Sequence, residues 1–67
     1  MIAQAQAKKI AASIDPEAII TLSNERGWFF INPADMYSIS DPGFAVSKEN
    51  GEVYKGIGAH MFMHGEE

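Results

Sequence analysis

Apolar residues first recur at helical spacing. Ala3, Ala7, Ile10, Ala11 and Ile14 fall at i, i+4, i+7, i+8 and i+11, one stripe of a 3.6-residue period, while Gln4, Gln6, Lys8 and Lys9 lie mostly off it. The spacing predicts a helix over 2–14 that stops before Asp15, because Pro16 drives its predecessor out of the α region. Asp15-Pro16-Glu17 has the order of a cap, a first-turn proline and an acid, so a second helix is one reading of the segment after it. Ala18-Ile19-Ile20-Thr21-Leu22 is rich in β-branched residues and too short before Asn24 for a full helix, which favours a strand. Asn24 to Gly27 then turns the chain into Trp28-Phe29-Phe30-Ile31, the most apolar run, and the two segments form a hairpin.

Asn32-Pro33-Ala34-Asp35 predicts a short helical turn through about Tyr37, and Ser40-Asp41-Pro42-Gly43 a further turn. Phe44-Ala45-Val46-Ser47 and Glu52-Val53-Tyr54 flank Lys48-Glu49-Asn50-Gly51, whose Asn-Gly pair signals a second hairpin. Residues 57–67 admit a last strand, a helical turn or a flexible, partner-binding arm. The expected fold class is α+β, with an N-terminal helix on a small antiparallel sheet of three to four strands in two layers. Within the aromatic strand, Trp28 and Phe30 face opposite to Phe29 and Ile31. One pair meets the helix, and the other is either an interface or a floor over which the tail folds back.

With 67 residues the chain is a single small domain, and such a chain buries only about 60% of its unfolded surface. Nine of its apolar residues are alanines, so few large side chains build the core, and support from a partner or a second copy is in keeping. The absence of cysteine excludes a disulfide framework, a thiolate zinc site and a thiol nucleophile. No apolar stretch approaches membrane-spanning length and no leader pattern opens the chain, so a cytoplasmic protein is expected. A formal charge of −4 repels phosphate backbones and suits a basic protein partner.

Little catalytic chemistry emerges. His60 and His64, four apart, would pair on a helix, with Glu66 and Glu67 as oxygen donors, but no third strong ligand accompanies them. Solvated or packed tail histidines are therefore expected, with no metal and no cofactor. Gly56-Ile57-Gly58 lacks the third glycine of a phosphate loop and reads as a strand bend. Asp15, Asp35 and Asp41 are accounted for as caps, and the serines show no nucleophile elbow. Basic residues are too few among the aromatics for direct nucleic-acid binding. A binding role is expected instead, with Trp28, Phe29, Ile31, Glu49, Glu52 and Tyr54 as the candidate partner-binding residues.

Gly27-Trp28-Phe29-Phe30-Ile31-Asn32, Pro42-Gly43-Phe44-Ala45-Val46 and Lys48-Glu49-Asn50-Gly51-Glu52-Val53 together resemble the YrhB-like immunity proteins of bacterial polymorphic toxin systems, over residues 3 to 56. Here the loop from Asn32 to Pro42 is shorter than in that family, Ser40-Asp41 stands where it has Gly-Asn, and the tail from Gly56 differs. PepSY-like inhibitory domains share a helix-plus-meander layout with a Gly-Glu-Val hairpin. The resemblance implies a protein that neutralises a toxin by occluding it. The alternative is a homodimeric structural or regulatory module that buries the second face of Trp28 to Ile31 against its symmetry mate.

Overall fold

A computed structural model of the chain describes residues 1–35 and 42–65. The elements run α1 (Gln4–Ile14), β1 (Ile19–Ser23), β2 (Gly27–Ile31), a 3-10 turn (Pro33–Asp35), β3 (Phe44–Ser47), β4 (Val53–Lys55) and α2 (Ile57–His64). The four strands form one antiparallel sheet in the order β1-β2-β3-β4, so each pairs with its neighbour in sequence. The expected α+β domain, an N-terminal helix on an antiparallel sheet, is present. The continuation of the 3-10 turn to Tyr37, the Ser40-Asp41 half of the next turn, and Glu66 and Glu67 lie outside the described residues.

Alanine lets α1 sit close. Ala7 and Ala11 are buried against Trp28, Phe30, Phe44 and Val46, with Ile2, Ile10, Ile20 and Val53 closing the sides. This is the first of two apolar clusters, and its aromatic pair Phe30 and Phe44 stacks across β2 and β3 with ring centroids 5.5 Å apart. At the end of α1 the Asp15 carboxylate accepts from the Glu17 N–H (3.1 Å) and from Asn32 Nδ2 (3.2 and 3.3 Å). One side chain thus ties the helix end and the entry to β1 to the exit of β2.

Of the three readings open for the tail, a strand, a helical turn or a free arm, the helical one is realised, and at greater length. Residues 57–64 form α2, which packs over β2, β3 and β4 on the face opposite α1 and adds a helical layer to the two expected. Ala59 and Met63 are buried there with Phe29, Ile31 and Ala45, the second apolar cluster. The Gly56-Ile57-Gly58 segment is no strand bend: Gly56 adopts φ 60° and ψ −139°, a conformation almost closed to side chains, and so reverses the chain from β4 into α2 within one residue. Gly65 ends the helix in the left-handed region at φ 80°, its N–H donating to the Met61 and Phe62 carbonyls. The β1–β2 turn holds this end, since Asn24 Nδ2 donates to the Met63 carbonyl (2.9 Å) while its Oδ1 accepts from the Arg26 and Gly27 N–H groups.

A Cβ on Gly56 would meet nothing within 4 Å. Gly56→Ala is therefore a purely conformational test and should cost about 1 to 3 kcal/mol, read as a lower urea midpoint with an unchanged slope.

Strand β1 carries an irregularity. Ile20 pairs with Phe30 and Leu22 with Phe29, leaving Thr21 as an extra residue in the ladder. The bulge puts Leu22 on the same face as Ile19, the α2 face, where the two side chains remain 43% and 47% exposed. The main helix packing falls elsewhere: α1 packs on β2 and β3, and α2 on β2 to β4, while Ile20 of β1 joins the cluster under α1.

Candidate interaction surface

The helices decide which sequence candidates reach solvent. Trp28, Phe29 and Ile31 are only 3%, 6% and 8% exposed. Trp28 lies under α1, and Phe29 and Ile31 under α2, so the aromatic strand is core, and of the two coverings expected for its second face, an interface or the folded-back tail, it is the tail that fills it. Over Trp28 sits the Lys48 ammonium, 5.2 Å from the ring centroid.

Glu49, Glu52 and Tyr54 come together at the surface on the β3–β4 hairpin. Its turn is built by local polar contacts: the Ser47 N–H donates to the Glu52 carbonyl (2.9 Å), the Gly51 N–H to the Ser47 carbonyl (2.9 Å), and the Glu52 N–H to Asn50 Oδ1 (2.9 Å). These bonds leave the Glu49 and Glu52 side chains exposed. The Tyr54 hydroxyl donates to Glu52 Oε2 at 3.1 Å. Its ring stacks on Phe62 of α2, centroids 4.3 Å apart and 12° from parallel, and the Arg26 guanidinium covers Phe62 at 5.9 Å. The stack fixes the phenol in place. Glu52 and Tyr54 were both sequence candidates and stand two apart in the chain, whereas Phe62 and Arg26 are brought in by α2 and the β1–β2 turn.

The field of this cluster registers on the phenol. The hydrogen bond to Glu52 comes first, then burial, then the charges of Glu52 and Glu49, and all three hold the Tyr54 proton above the ordinary tyrosine range. Because the folded value is raised, whatever stability this contributes is full at neutral pH and is lost as pH rises through the folded value. Glu52→Gln should move the Tyr54 titration back toward the ordinary range, measurable from the Tyr54 ring resonances against alkaline pH; an unmoved midpoint would mean that the carboxylate is not the cause.

The histidines share α2 but not a role. His60 packs its ring on Phe29, centroids 4.9 Å apart, with Nε2 buried and without a hydrogen-bond partner, while His64 is exposed in the last turn. Among the described residues no three His, Asp or Glu side chains are grouped to hold a metal ion. No described helix is long and apolar enough to cross a membrane. On the α1 side an open groove of about 510 Å³ runs between α1 and β1.

No protein-family pattern, curated protein or solved structure matches the chain.

Proposed function

We propose that the chain is a small acidic binding protein that inhibits or neutralises a basic protein partner by occlusion, as an immunity protein or a phage-type inhibitor does. The observation that carries this reading is the β3–β4 hairpin, where Glu49 and Glu52 stand exposed beside a phenol stacked in place. Carboxylates on a rigid hairpin speed encounter with a positive surface, and a fixed aromatic contributes contact area at little entropic cost. The formal charge of −4 acts in the same direction.

The test pairs the wild-type chain with Glu49→Lys/Glu52→Lys as baits in bacterial lysate at low and high salt, followed by titration of the captured protein's own activity. A stoichiometric basic partner is expected, weakened by salt and roughly tenfold by the double reversal, and losing activity on binding. Capture indifferent to both reversals, or a partner whose activity is unchanged, would overturn the proposal.

A homodimeric structural or regulatory module is the second reading, favoured by the exposed Ile19 and Leu22 on β1. It requires a dimer in sedimentation at tens of micromolar, and a monomer there removes it.

A further inference from the structure

The β1 edge differs from the β4 edge in a way that bears on binding. Strand β4 has three residues and ends in Lys55, and α2 comes directly after it. Strand β1 is Ile-Ile-Thr-Leu-Ser, with no charge and no proline, and it lies beyond the main packing of both helices, with Ile20 against the α1 cluster. Sheet edges that must not pair are kept short, charged, covered or bulged, and of these devices β1 has only the bulge. Its one irregularity, the Thr21 bulge, limits regular pairing to the stretch before it. The groove has the same limit, since β1 contributes only Ile19 and Ile20 to its lining.

The groove is apolar at its floor and carries one charge of each sign. Ala12 of α1 forms the wall and Ala18, Ile20 and Phe30 the floor; Gln4 lies at the start of the helix, Lys8 near its middle and Asp15 at its C-terminal cap. Lys8 is exposed and makes no hydrogen bond or ion pair among the described residues. Asp15 stands where the last carbonyls of α1 add partial negative charge. Seven helical residues separate the two by about 10 Å, the reach of three to four residues of extended chain.

We propose that this groove takes a short extended segment of a partner protein as a fifth strand on β1. The segment presents one apolar side chain to the space between Ala12 and Ile20, flanked two residues to either side by an acid for Lys8 and a base for Asp15. Main-chain pairing supplies affinity and the alternate side chains supply selection, the mode by which edge strands beside a helix bind peptides. This surface lies apart from the β3–β4 hairpin and does not depend on its role.

The probe is a fluorophore-labelled, end-blocked pentapeptide, Asp-Thr-Val-Thr-Lys, titrated with the full chain and read by polarisation. Saturable binding is expected, lost when the valine nitrogen is methylated and lost in Ala12→Trp, which fills the groove from an exposed position without entering the core. Lys8→Glu should weaken this peptide about fivefold and turn preference toward Lys-Thr-Val-Thr-Lys. Absence of saturable binding overturns the proposal, as does binding that survives Ala12→Trp or backbone methylation. A dimer in sedimentation that Ala12→Trp dissolves would assign the groove to a second copy and overturn it equally.

Discussion

Trp28→Ala is expected to remove about 3 to 5 kcal/mol of unfolding free energy. The indole is 3% exposed, paired across the sheet with Ser23 and Val46, and roofed by Ala7 and Ala11 of α1. Alanines bring the helix close because their side chain is a single methyl, too short to fill a gap, so neither they nor the β-strand neighbours can collapse into the vacated volume. Small domains hold only about 5 to 15 kcal/mol in total, so the variant should be partly unfolded at room temperature. Urea titration followed by far-ultraviolet circular dichroism measures the loss. Leu22→Ala, at a half-exposed position of the overhanging strand, is the control and should cost under about 1 kcal/mol. Equal losses for the two variants would show that Trp28 is not the centre of the first apolar cluster.

Met63→Asp should cost a comparable 3 to 5 kcal/mol, about what an unpaired buried charge costs, but with a different outcome. Met63 is 4% exposed within the second cluster, beside Ala59 and over Phe29, Ile31 and Ala45. A carboxylate there has no cationic partner in that cluster, so α2 should leave the sheet to hydrate it. The α1 cluster lies on the other face and does not share these contacts. Helical circular dichroism should therefore fall while Trp28 emission stays close to native, and sedimentation should show self-association through the uncovered Phe29–Ile31 face. A variant that remains monomeric with full helix content would mean that α2 does not depend on Met63 for its seat.

These two faces also mark where sequence reasoning reached and where it stopped. Helix α1 and both hairpins were legible because each announces itself locally: a stripe at 3.6-residue period, β-branched runs, and turn residues such as Asn50-Gly51. Helix α2 carries no such stripe. Apart from its two histidines it is apolar or small throughout, and glycines stand at its start and end, so its pattern resembles a strand or an arm as much as a helix. The signal available was His64 in the last turn followed by Gly65, the order of a helix stop. Because the tail's form was left open among strand, helical turn and arm, Trp28, Phe29 and Ile31 stood as candidate surface anchors. The grouping of Glu49, Glu52 and Tyr54 was readable because a hairpin brings neighbours together. The tie from Asp15 to Asn32, seventeen residues apart, and the bulge at Thr21 depend on how β1 meets β2, which no local pattern encodes.

The nearest-neighbour order of the strands has a kinetic consequence. Every strand pairing closes a short segment of chain, so the entropy lost before contacts form is small for a sheet protein, and refolding on the millisecond scale or faster is expected. The two helices then arrive from opposite ends of the chain onto opposite faces. Once Trp28, Phe30 and Val46 have gathered under α1, the floor for α2 is already assembled on the reverse side of the same strands. Destabilising substitutions in α2 should accordingly speed unfolding while leaving the refolding rate almost unchanged.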